Sequence, residues 1–209
     1  IYMQRTVPRI KICCINSIEE AKLAIAYGAS AVGLVSNMPS GPGVISEELI
    51  QQIAATIPPG VASVLLTSQV DTGSIIDQQK RTGVNTIQLC DRLESGSYRD
   101  FRDAIPGIAI MQVIHVTGPE SVEQANRIAP HVNAILLDSG NPQLQVKKLG
   151  GTGRVHDWQI SRRIVETVPV PVYLAGGLTP ESIPHAITAV GPFGVDVCSG
   201  LRVSGNLNE

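Results

Sequence analysis

This 209-residue chain lacks long apolar runs, basic blocks and dense cysteine. No run reaches the ~18 apolar residues that read as a membrane span, and no stretch has the pattern of a secretory signal. A membrane partner is therefore excluded on this reading, and the cytoplasm is the expected location. Lysine and arginine number 16 against 18 aspartates and glutamates, a formal net charge of −2. The basic footprint of a nucleic-acid surface is missing. Four scattered cysteines form no disulfide framework, and no Cys-x-x-Cys spacing suggests a metal. Neither an internal repeat nor a low-complexity linker interrupts the chain, so residues 1–209 read as one domain.

What is present is a recurring unit. Eight short, β-branched apolar runs appear: RIKIC (9–13), AVGLV (31–35), ASVLLT (62–67), TIQLC (86–90), IAIMQVIHV (108–116), NAILLD (133–138), PVYLA (171–175) and GVDVCS (194–199). Helix-like segments separate them at 17–28, 46–57, 73–83, 97–105, 119–129, 157–168 and 179–191. Ser17 with Glu20 three residues on reads as a helix start, as do Thr179 with Ser182, and Asp157. Gly28, Gly83 and Gly191 sit where helices would stop. Strands alternating with helices make a parallel sheet. Eight units imply a closed (β/α)8 TIM barrel, short for its class, with an open doubly wound sheet as the alternative. Because the sequence given ends at Glu209, an eighth helix is expected to be missing or incomplete.

In such a barrel, function sits at the carboxyl ends of the strands. Strand alternation puts Arg9, Lys11 and Cys13 on one face, pointing inward, and Ile10, Ile12 and Cys14 on the other, toward the helices. Cys13 is thus the candidate for chemistry and Cys14 for packing. Adjacent cysteines rarely bond to each other, because the peptide between them must strain. Asp138 closes the sixth strand, and Asp196 shares a face with Cys198. Three glycine-rich stretches follow: LGGTGRVHDW (149–158), LAGGL (174–178) and CSGLR (198–202). They nominate Gly151, Gly153, Gly176, Gly177, Ser199 and Gly200 for phosphate binding through backbone N–H groups. The long segment 139–153 reads as a loop over the site. His115 reads as an inward-facing histidine, and Trp158 as a residue packing its helix on the barrel.

KIC at the first strand, LLD at the sixth, GGTG…DW before the seventh, LAGGL–PE–I at the seventh and GVDV-SG at the eighth together resemble the phosphoribosylanthranilate isomerase family of tryptophan biosynthesis. The resemblance runs from about Arg9 to Gly205. It implies an Amadori rearrangement of a small phosphorylated sugar derivative without metal or cofactor, by a monomer or homodimer. An acid opens the ribose ring to a Schiff base, and a base then takes the C2 proton. The family's base falls on Cys13 and its acid on Asp138, while Asp196 matches an aspartate near the substrate's amino group. A thiol acts as base only as thiolate, which the nearby Lys11 would favour. Asp138 must carry a proton, which an apolar setting from Leu136 and Leu137 would support.

Departures cluster at the substrate's aglycone. The family's Ser-Pro-Arg after strand two, whose arginine holds a carboxylate, is MPSGPGVI here (38–45), leaving Ser40 and the N–H groups of Gly41 and Gly43. Gln-Leu-His-Gly becomes QLCD, placing Cys90 for histidine. Ser-Ser-Gly-Val-Glu becomes CSGLR, and Arg202 is the nearest cation that could replace the lost one. Cys14 replaces a usual glycine. Three readings stay open: the isomerase itself, a paralogue acting on another phosphorylated sugar, or a non-catalytic sugar-phosphate or thiol-metal binder.

Overall fold

A computed structural model describes residues 7–140 and 157–208. Eight strands close into a parallel barrel in chain order: β1 (Arg9–Ile12), β2 (Ala31–Val35), β3 (Ala62–Thr67), β4 (Thr86–Leu89), β5 (Ala109–His115), β6 (Ala134–Asp138), β7 (Val172–Leu174) and β8 (Gly194–Val197). Closure runs through β8 and β1, with Lys11 opposite Asp196 and Ile12 opposite Val197. The open-sheet alternative is therefore set aside. Seven α-helices among the described residues form the outer layer: α1 (Ile18–Ala26), α2 (Glu47–Ala54), α3 (Thr72–Thr82), α4 (Tyr98–Ala104), α5 (Glu120–Ile128), α6 (Trp158–Thr167) and α7 (Ile183–Val190). Past β8, a single 3-10 turn (Ser199–Leu201) leads into a hairpin of β9 (Arg202–Val203) and β10 (Asn206–Leu207).

Local chemistry sets most of these ends. The Ser17 hydroxyl accepts the Glu20 N–H at 3.1 Å, and the Asp157 carboxylate accepts the Gln159 N–H at 2.8 Å, satisfying orphan donors at the starts of α1 and α6. Gly83 and Gly191 stop α3 and α7 in the left-handed region. Helix α7 begins at Ile183, later than the sequence suggests. Thr179 and Ser182 form a separate turn, each hydroxyl accepting the other's N–H.

Alternation along the strands divides the core. Inward-facing Val64, Leu66, Met111, Val113 and Leu136 fill the barrel. Outward-facing residues pack under the helices in two groups, one around Ile12, Val32, Leu34 and Leu65 beneath α1 and α2, the other around Ile87, Ile114, Ile135 and Leu174 beneath α3 to α7. Trp158 packs against the second group, as its position implies.

Candidate active site

Strand β1 delivers two inward-facing polar groups. Lys11 is fully buried, and its Nζ lies 3.0 Å from Asp196 Oδ1 on the neighbouring strand. Burial alone pulls an ammonium pKa down; the Asp196 carboxylate and the nearby Cys13 sulfur outweigh it, so Lys11 stays charged. Beyond Ile12 the chain keeps strand course for one more residue, the Cys13 N–H donating to the Val197 carbonyl at 2.8 Å. The Cys13 side chain thereby enters a cavity at the carboxyl mouth of the barrel. Gly33 on β2 makes this arrangement possible. A Cβ there would lie 3.0 Å from Cys13 Sγ and 3.1 Å from Lys11 Nζ, so the ammonium and the sulfur share the space a side chain would take.

Asp138, the last residue of β6, borders the same cavity, buried, with Oδ1 accepting the Ser139 N–H at 2.7 Å. Its β5 neighbour His115 lies 3.0 Å through Nε2 from the Cys90 carbonyl, which makes it an inward-facing structural group. Cys90 also borders the cavity, and burial pushes its thiol up to about 12, so it stays protonated near neutral pH. Among the described residues, no group of three or more histidine, cysteine, aspartate or glutamate side chains is placed to hold a metal ion.

Around the same rim, Gly176 and Gly177 after β7 and Ser199 after β8 line the cavity, as do Ser40 and Gly41 after β2. Gly200 does not border it. Its part is close approach: a Cβ would fall 2.3 Å from the Leu178 carbonyl oxygen, so only glycine lets the β8 turn lie against the β7 loop. Gly151, Gly153 and most of the expected loop at 139–153 lie outside the described residues.

Two expectations are corrected. Cys14 does not face the helices. Strand β1 has ended, and Cys14 turns to φ 62°, where alternation no longer applies, so its thiol also enters the cavity. Its Sγ lies 3.9 Å from Cys13 Sγ and 2.8 Å from Cys198 Sγ. Arg202 does not border the cavity. Its guanidinium holds both Glu20 oxygens, at 2.9 and 3.0 Å, the Gly205 carbonyl at 2.8 Å, and the Cys13 and Cys14 carbonyls. Glu20 in turn accepts the N–H groups of Leu207 and Asn16. Gly33 was missed from sequence, and Glu20 was read only as part of a helix start. The signal for Gly33 was a glycine inside a strand run, a mark of close approach.

The barrel topology and the polar cavity at its carboxyl mouth define the class, a (β/α)8-barrel enzyme. Residues 10–208 match the model of the family described as N-(5'phosphoribosyl)anthranilate (PRA) isomerase, and the chain belongs to that family. It is 39% identical over 202 residues to N-(5'-phosphoribosyl)anthranilate isomerase 2 of Methanosarcina mazei, covering 96% of this chain and 88% of that one. Among solved structures it is similar to phosphoribosyl anthranilate isomerase from Thermotoga maritima, with 29% identity, a TM-score of 0.79, and coverage of 97% of this chain and 93% of that one. A second, with 27% identity, a TM-score of 0.76 and the same coverage, is the isomerase in complex with reduced 1-(o-carboxyphenylamino)-1-deoxyribulose 5-phosphate.

Proposed function

We propose that this chain converts phosphoribosylanthranilate to the corresponding 1-amino-1-deoxyribulose phosphate, with Asp138 as acid and Cys13 as base. The observation that carries the reading is that Cys13, from β1, and Asp138, from β6, line one cavity at the carboxyl mouth. Asp138 gives its proton to the ribose ring oxygen, the C1–O bond breaks, and the nitrogen lone pair forms the Schiff base. Cys13 as thiolate then takes the C2 proton, and the electrons flow back to nitrogen, leaving an enolamine that tautomerises to the ketose. Both steps are proton transfers within one substrate, so no redox cofactor is needed. The Lys11 ammonium faces Cys13 and offsets the thiolate charge that precedes proton transfer.

Phosphate is held in this reading by the loops of Gly176, Gly177 and Ser199, which Gly200 locks together, with Gly151 and Gly153 on the third glycine loop. Asp196 supports the amino group from beside Lys11. The aglycone carboxylate meets Ser40 and the Gly41 N–H. The partner is thus a small phosphorylated sugar derivative, and the setting is cytoplasmic tryptophan biosynthesis.

The test follows loss of phosphoribosylanthranilate fluorescence on adding enzyme. Cys13→Ser is expected to abolish turnover, because an alkoxide is far harder to generate than a thiolate. A wild-type protein that leaves the fluorescence unchanged, or a Cys13→Ser protein with the wild-type rate, refutes the assignment.

A further inference from the structure

All four cysteines border the cavity, yet the acid–base chemistry uses only Cys13. Cys14 and Cys198 are left without a part. The Cys14 position costs backbone energy. Its φ of 62° suits glycine, and a residue bearing Cβ pays about 1 kcal/mol there. That conformation aims Cys14 Sγ at Cys198 Sγ, 2.8 Å away. The closure of the barrel brings the ends of β1 and β8 together. β1 and β8 are paired strands, and the Cys13 N–H to Val197 carbonyl bond extends their ladder to the residues just before Cys14 and Cys198.

We propose that Cys14 and Cys198 form a redox-active dithiol that closes to a reversible disulfide with low-molecular-weight disulfides. The pair stands independently of the isomerase reading. Cys198 is the partly exposed member, whereas Cys13 and Cys14 are buried. The contact with Cys14 Sγ, together with the Arg202 and Lys11 charges, pushes the Cys198 thiol down against burial and Asp196. Cys198 is therefore the attacking thiolate.

Cys198 gives its proton to water, its sulfur forms a bond to one sulfur of R–S–S–R, and R–S⁻ departs. Cys14 passes its proton to that R–S⁻, attacks Cys198 Sγ and expels the second R–S⁻, which takes a proton from water. In total, two protein thiols and one R–S–S–R give one protein disulfide and two R–SH, so the protein is oxidised as the reagent is reduced. Cys13 stays a thiol. Its Sγ lies 3.9 Å from that of its neighbour Cys14, and a bridge between adjacent residues is strained.

The experiment treats the intact chain with hydroxyethyl disulfide, quenches with acid, and reads mass and disulfide-linked peptides. The expected wild-type product lacks two hydrogens, carries no reagent, joins the Cys14 and Cys198 peptides, and has two of its four thiols left after denaturation. Dithiothreitol should restore all four. Cys14→Gly, with the residue suited to that φ, and Cys198→Ser are each expected to lose the two-hydrogen product, with circular dichroism confirming their fold. A wild-type protein that does not react, that keeps the reagent as a stable adduct, or that links Cys13 instead overturns the proposal. So does a two-hydrogen loss that persists in Cys14→Gly.

Discussion

One added carbon at position 33 tests how tightly the base is held. The Cβ of Gly33→Ala would meet Cys13 Sγ at 3.0 Å, Cys13 Cα at 3.1 Å and Lys11 Nζ at 3.1 Å, so each must give by a few tenths of an ångström. A misplacement of about 1 Å can cost ~100-fold in rate, so a shift of this size is expected to lower kcat roughly tenfold. Steady-state fluorescence assays check this, with a thermal melt to confirm folding; an unchanged kcat would mean that Cys13 is not positioned there. At this scale the sequence was only partly legible. Period-two alternation correctly turned Lys11 and Asp196 inward, because both lie within extended strands. It misplaced Cys14, where the extended backbone has ended. It could not find the partner of Arg202, since Glu20 lies 182 positions away and no local rule joins them.

Between elements, the Arg202–Glu20 pair ties the β9–β10 hairpin to α1 and to the end of β1. Both side chains are about nine-tenths buried, at 10% and 12% exposure, and removing one partner of such a pair costs about 3 kcal/mol. Arg202→Ala is therefore expected to lower the melting temperature by several degrees and to act on kcat through the Cys13 and Cys14 carbonyls, with KM for phosphoribosylanthranilate within about twofold of wild type. A tenfold rise in KM alone would instead mean that Arg202 reaches the substrate. Burial pushes the Glu20 carboxyl up, but the Arg202 hydrogen bonds and the Leu207 and Asn16 N–H groups outweigh it, so it sits below the usual carboxylate range. Its stabilisation is then present above the unfolded value of about 4.3 and lost as pH falls through its own lower value. Melts of wild type and Glu20→Gln should differ at neutral pH and converge in acid. The elements themselves were legible because caps and glycines punctuate them; Ser17, Asp157, Gly83 and Gly191 all act as their types suggest. The late start of α7 was not, because Thr179 and Ser182 each serve equally well in a turn.

Across the whole molecule, the eightfold alternation of runs foretold the closed barrel, and the paired closure of β1 with β8 brings two buried charges to one seam. That seam holds Lys11 and Asp196 where several other interior positions hold valine, leucine and methionine. Desolvating two charges costs several kcal/mol each, and the attraction at 3.0 Å returns only part of it. A fully buried aliphatic side chain, by contrast, contributes about 1.5–3 kcal/mol. Replacing both together, as Lys11→Met with Asp196→Leu, is expected to leave the barrel as thermostable as before or more so, while turnover disappears. Either change alone should destabilise it, by stranding one charge. Calorimetry of the four proteins checks this, and a double variant melting below both singles would refute it. The barrel therefore carries a standing conflict between durability and turnover at its centre. A lineage released from selection for catalysis would be expected to lose this pair early, drifting toward a sturdier but silent protein, so an intact Lys11–Asp196 pair is a mark of a barrel still under selection for its reaction.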